Sequence, residues 1–395
     1  MARKRSILYH TVQSILKLFW RKHRRIVAIF FALLTLLSSL MMPVLLEKVT
    51  ATENTSLLLS QISNSLTPEQ QGHLYYNAGD FAKAAESWQK AADAYGNDNK
   101  EGKNRNLINK ARAIYSLGLY PEACNQIIHI YTNTLTCDQL ISNNKNIDNV
   151  TKKRENQKFI DIINLQEDSD NKVSTLHILG NIFQKLGKLN LSKQVLEIGL
   201  KLANKYPKEY SEYQNAIYIS LGNLERSVAN KKRDSLSYQK ILDTIVGIID
   251  NEDINSDLIS LYNQAYNYYD SVQSTPILIR TQAELNHFSL LVENKQWWTE
   301  QVLKMLEYFP QKSQAQLDNT DTWQKLQDQL DKMLANIQAK IESRLDKLPQ
   351  SREAVYAKIN FSESLTKLNL INLKLKNQKF FPQQQIANIL FTAIK

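Results

Sequence analysis

Small and aromatic residues recur three or four positions apart along much of this chain, the spacing of helices packed on one another. In GHLYYNAGDFAKAAESWQKAADAY they stand where a helical hairpin needs them: Gly72 and Tyr75 on a first helix, Gly79 in the turn, Phe81, Ala84, Trp88 and Ala91 on a second. Gly72 and Ala84 let the two helices approach closely, Gly79 supplies the turn, and the aromatic rings fill the space between hairpins. The pattern returns at Ala111, Ile114, Gly118, Tyr120, Ala123, Ile127 and Ile130, and again at Gly180, Phe183, Gly187, Leu189, Ser192, Leu196 and Gly199. A looser fourth copy begins at IYISLGNLERSV, with Leu221 and Gly222 on its first helix and LSYQKILDTIVGII as its second. The turn glycines are 39 and 69 residues apart, so insertions separate the units. One of them, Ile141 to Phe159, is polar and rich in Asn and Lys and reads as a mobile loop.

Beyond Asp250 the repeat fades while helical spacing persists. Trp323, Leu326, Leu330, Leu334, Ile337, Ile341 and Leu345 form a long apolar stripe, expected to pack on a neighbouring hairpin rather than in a free coiled coil. Another amphipathic helix follows in SREAVYAKINFSESLTKL. A last one in FFPQQQIANILFTAIK carries Ile386, Ile389, Leu390, Phe391 and Ile394 almost to the C-terminus, where an array usually ends on a polar face. The organisation expected is 1–25 a basic stub, 26–46 a membrane helix, 47–65 a linker, 66–250 the repeat array and 251–395 a continuation of helical hairpins that reads as truncated.

Composition supports a helical chain. Gly (10) and Pro (8) together make about 5% of 395 residues, against roughly 12% in average proteins, which argues against turn-rich β folds and Gly-loop α/β folds. The formal charge of +10 suggests a nucleic acid or a membrane surface, and its location decides between them. Residues 1–25 hold eight cations and no acid, residues 26–346 have a net charge of −4, and the last 49 residues a net +6. No basic stripe with interleaved aromatics marks the array, so a nucleic-acid partner is not supported.

The cationic stub runs into Ile26–Leu46, 21 residues without a charge. As a helix they would span roughly 31 Å, the thickness of a bilayer core. The positive-inside rule then leaves the N-terminus in the cytoplasm and the bulk of the chain beyond the membrane, in a periplasm or lumen. The alternative is cleavage near Ala51 and secretion, since Val49 and Ala51 are small enough for signal peptidase. The two cysteines, Cys124 and Cys137, suit either a pair of buried thiols or a disulfide tying a helix to the loop after it.

Catalytic constellations are nearly absent. The six histidines form no HExxH or HxxH pair, no GxSxG or P-loop occurs, and Ser364 with Lys367 fits SxxK only as a short chance pattern. No cofactor or metal is implied, and the chain reads as no enzyme. The hairpin pattern itself resembles the tetratricopeptide repeat, which implies an all-α, right-handed α-solenoid with a concave groove lined by the first helices. On that alignment the groove candidates are His73, Tyr76, Asn77, Arg112, Tyr115, Asn181, Gln184, Asn223 and Arg226. Such residues suit a protein or peptide partner, although an ordinary solvated face has the same composition. Glu69, Ile108, His177 and Ile219 occupy the places where a carboxylate-clamp repeat would carry its leading cation, so a terminal carboxylate is not the expected ligand.

Several stretches together resemble the N-terminal half of the cyanobacterial CHAT-domain proteins. They are Gly79 to Trp88, Leu119 to Cys124, Ser220 to Asn223 and, above all, LPQSREAVYAKINF from Leu348 to Phe361. The resemblance implies a membrane or secretion signal, a tetratricopeptide array and a helical middle, followed in that family by a caspase-like protease domain. This chain ends before the His/Cys dyad of such a domain, so no catalytic role is carried over. The reading is a membrane-anchored scaffold, or alternatively the regulatory arm or split remnant of a CHAT protease.

Overall fold

A computed structural model describes residues 66–96, 98–141, 149–237, 257–308, 320–349 and 351–377, and among them the chain is entirely helical. The membrane-directed segment 26–46, the second helix expected of the fourth repeat and the apolar stretch 386–394 lie outside these residues, wholly or nearly so. No helix among the described residues is long and apolar enough to cross a membrane. The unit Pro68–Lys395 carries all the helices described below.

The first expected hairpin is α1 (Pro68–Ala78) and α2 (Phe81–Tyr95). The second is α3 (Lys100–Ser116) and α4 (Tyr120–Tyr131), and the third is α7 (Asp170–Lys185) and α8 (Leu189–Lys205). One turn serves all three. At Gly79, Gly118 and Gly187 φ is 84°, 82° and 72°, and each glycine N–H donates to the carbonyl three residues back. The next N–H reaches back five, from Asp80 to Tyr75, Leu119 to Ile114 and Lys188 to Phe183. This paired closure needs a left-handed residue, which glycine supplies without a Cβ penalty. Asp80 then caps α2 by accepting from Lys83 N at 3.2 Å.

Close approach in the first hairpin follows from the other glycine. A Cβ on Gly72 would overlap the Trp88 indole, which is buried beside Ala84 and Ala113. Each first helix then packs on the next: α3 on α7, α7 on α9 (Ser211–Asp234), and α9 on α11 (Ile277–Tyr308). That arrangement is compatible with an α-solenoid. Among the described residues α9 also packs on α10 (Asp257–Asp270), whose Tyr269 ring leaves no room for a Cβ on Gly222.

Two features differ from the expectation. Residues 149–159 of the insertion are helical, as part of α6 (Asn149–Asn164), which follows the short α5 (Cys137–Ile141). Phe159, Ile160 and Ile163 form a one-sided apolar patch that reaches the core, with the Phe159 ring edge-on to Phe183 at 6.2 Å. The Cys124 and Cys137 sulfurs lie 1.99 Å apart in a disulfide that ties α4 to the start of α5, and Cys137 N donates to Asn125 Oδ1 at 2.8 Å. At the other end the hairpin rhythm stops. The helix α11, 32 residues long, packs against both α12 (Thr320–Leu345) and α13 (Arg352–Asn377), and the three share one core. Leu334, Ile337 and Ile341 of the α12 stripe lie in that core with Phe288, Ala357 and Phe361. Lys295 is buried among the three helices, paired with Asp331 and donating to Asn372 at 3.0 Å.

Candidate partner-binding groove

The first helices present small polar and aromatic side chains to one another, and those side chains form rungs. Tyr76 Oη and Ser116 Oγ are 3.2 Å apart, joining α1 to α3. Arg112 donates to Ser174 Oγ at 3.0 Å, joining α3 to α7. From α7 to α9, His177 Nε2 lies 3.0 Å from Ser220 Oγ and Gln184 donates to Ser227 Oγ at 3.0 Å. Arg226 carries the ladder to α11, donating to Ser289 Oγ at 3.2 Å and pairing with Glu293. Serine recurs because its short side chain lets helices pack closely while accepting a bond from the longer residue opposite.

Between α3, α7, α9, α11 and α13 lies a cavity of about 530 Å³. Five of the nine residues expected in a groove line it: Tyr115, Asn181, Gln184, Asn223 and Arg226. The other four do not. Tyr76 is tilted against Phe81 and Trp88 with ring centroids 5.1 and 5.6 Å away, and His73 meets Trp88 edge-on at 5.3 Å. Asn77 is exposed on the last turn of α1, and Arg112 is spent on Ser174 and Asn109. Desolvation pulls the His73 pKa down, opposed by Glu69.

The cavity wall is rich in hydrogen-bonding groups, with Lys185 and Glu353 at its exposed rim. Asn181 Nδ2 and Ser220 Oγ both reach His177 Nε2, at 3.1 and 3.0 Å. Desolvation, helped by the nearby Arg112 charge, pushes the His177 pKa down to about 4, so its ring is uncharged at pH 7. Burial pushes the Tyr115 hydroxyl up to about 12, helped by Tyr120 and Tyr76. The Arg226 charge is met by Glu293. Asn223 Oδ1 accepts from Tyr269 Oη at 2.8 Å and from Asn286 Nδ2 at 3.1 Å, which fixes its amide. Among the described residues, no group of three or more His, Cys, Asp or Glu is placed to hold a metal ion.

Sequence reading missed His177, Ser220 and Ser227, which line the same cavity. Their spacing was a usable signal. His177, Asn181 and Gln184 lie at i, i+4 and i+7, and Ser220, Asn223 and Ser227 at i, i+3 and i+7, so each set shares a helix face. Gln282 and Glu353 arrive from α11 and α13 and have no such local signal. A second cavity, of about 610 Å³, lies at the α7–α8 turn, and its lining includes Leu140 and Ser235, each within three residues of a stretch outside the described residues. No protein-family model matches the chain, and no curated protein matches it at a significant level.

Proposed function

We propose that the chain is a non-catalytic scaffold of tetratricopeptide type, held at a membrane by residues 26–46, which binds an extended stretch of a partner protein between its first helices. The observation that carries this reading is the cavity shared by α3, α7 and α9, walled at matching face positions by Tyr115, by Asn181 and Gln184, and by Asn223 and Arg226. An extended peptide offers one backbone donor and one acceptor per residue. Asn and Gln amides satisfy either role, while His177 is neutral and the Arg226 charge is met by Glu293. Rigid first helices pre-organise these groups, so little ordering entropy is lost on binding. Both cysteines are joined in the disulfide, which leaves no free thiol to act as a nucleophile.

An array of overlapping peptides probed with the full chain tests the proposal. Peptides that bind should lose about tenfold or more in affinity with N181A or Q282A, roughly the worth of one or two lost hydrogen bonds. They should be unaffected by K201A on the exposed face of α8. Binding that is equal for all three variants, or no binding across the array, overturns it.

A further inference from the structure

The helix α13 is apolar on two faces, and the three-helix core covers one of them. Ala357, Phe361, Leu368 and Ile371 lie in that core, whereas Val355, Tyr356, Ile359, Leu370 and Leu373 are each between 45% and 56% exposed. At 3.6 residues per turn these five fall on one stripe, opposite the buried set. A helix with apolar residues all round belongs in an interior, so the outer stripe calls for a cover. Its spacing is nearly a palindrome. Val355 and Leu373 stand nine residues either side of Ser364, Ile359 and Leu370 five and six, and Ser362 and Thr366 two. The middle pair is small and already bonded: the Ser362 hydroxyl donates to Lys358 O at 3.0 Å and that of Thr366 to Ser362 O at 2.8 Å. Neither leaves a donor unpaired when covered. Glu363 and Lys367, paired at 2.9 Å, border the stripe on one flank.

We propose that α13 pairs antiparallel with α13 of a second copy of this chain, about a two-fold axis level with Ser364. A two-fold interface is self-complementary, residue i meeting j while j meets i, and a stripe symmetric about its own midpoint satisfies that condition. Val355 then faces Leu373 of the second copy, Ile359 faces Leu370, and Ser362 faces Thr366, where small side chains let the two backbones cross closely. Antiparallel pairing also brings the same flank of each helix together. Glu363 therefore sits between its own Lys367 and that of the second copy, and the charges along that edge balance. Five half-exposed apolar side chains offer on the order of 400 Å² per copy, which with the polar edges approaches the roughly 1,200 Å² of the smaller specific interfaces. Glu353, which lines the cavity described above, would stand about 33 Å along the helix from its copy. The dimer thus presents two grooves to one partner chain, a consequence that rests on the groove reading although the pairing does not.

Cysteine crosslinking of the full chain under mild oxidation tests the register, the native cysteines being already joined. Chains carrying V355C mixed with chains carrying L373C should crosslink, as should I359C mixed with L370C. V355C alone should not, because the two copies of that position lie about 27 Å apart along the helix. Light scattering should find a dimer that dissociates on dilution. I359D and L370D should each weaken association about tenfold or more and leave the thermal midpoint unaltered, since both positions are exposed. A chain that is monomeric at every concentration overturns the pairing, as does equal crosslinking in all three cases. An I359D chain that stays monomeric and melts earlier overturns it as well, because the face is then covered by the chain's own residues. So does a V355C adduct, formed in native membranes, with a different protein in place of a second copy. Dimers that bind no peptide refute the groove reading alone, and a strict monomer that binds peptide refutes the pairing alone.

Discussion

His177 makes the fold sensitive to mild acid. In the unfolded chain its imidazole takes up a proton near pH 6.5, whereas in the folded chain it does so only near 4. Between those values the unfolded state binds more protons, so stability is full above about 6.5, falls on acidification and has lost the whole contribution below about 4. The fall from 6.5 to about 4 corresponds to a ceiling of about 3 kcal/mol, reduced because the ring borders a cavity where water screens the charge. Protonation would also turn Nε2 from an acceptor into a donor facing the Asn181 amide. Desolvation also holds the His73 pKa below its ordinary value, but that ring is exposed and contributes less. The carboxylates whose pKa is lowered, Glu69, Asp80, Asp168 and Asp270, stabilise above their unfolded values near 4 and withdraw that contribution only at lower pH. Urea unfolding followed by far-ultraviolet circular dichroism at about pH 7 and about pH 4.5 separates them. Wild type should lose about 2 kcal/mol more than H177Q over that interval, and H73Q should behave nearly as wild type. Equal losses for wild type and H177Q would refute the reasoning.

Three further outcomes follow from packing. Replacing Phe159, which is fully buried, by alanine should cost about 3–5 kcal/mol in urea unfolding if α6 is part of the core; a loss below about 1 kcal/mol would make α6 dispensable. G72A forces a methyl group into the Trp88 indole and should cost about 1–3 kcal/mol, read as a lower thermal midpoint, whereas an unaltered midpoint would mean that the hairpin yields freely. Reducing the disulfide, which closes a loop between cysteines 13 apart, should cost about 3 kcal/mol by chain entropy, checked by unfolding with and without reductant. A C124S/C137S variant as stable as the oxidised parent would contradict that figure.

The hairpins were legible because each depends on residues adjacent in sequence. Gly79, Gly118 and Gly187 mark the same left-handed closure, and the small residue at 72 faces the large one at 88 through a contact that both sequence positions announce. The helix α6 was hidden because its many Asn and Lys residues dominate composition, while its core contact rests on Phe159, Ile160 and Ile163 alone. The three-helix core at α11 was hidden because amphipathic spacing shows that a helix has an apolar face but not which helices meet it. The same division holds at the groove. Asn181, Gln184, Asn223 and Arg226 follow from position on a first helix, whereas Glu353 depends on a helix more than a hundred residues away in sequence. Arg112 and Tyr76, which the repeat alignment places in the groove, are consumed in bonds between helices, which only the packed structure reveals.

The central claim is that a partner chain occupies the space between the first helices. A photo-crosslinking amino acid placed at Ile219, on the cavity wall, and separately at Lys201, on the exposed face of α8, addresses it in the full chain within its native cells. The account predicts adducts with discrete peptides of one partner at position 219, absent at position 201 and diminished by N181A. Adducts of equal yield at both positions, or none at 219, would contradict it.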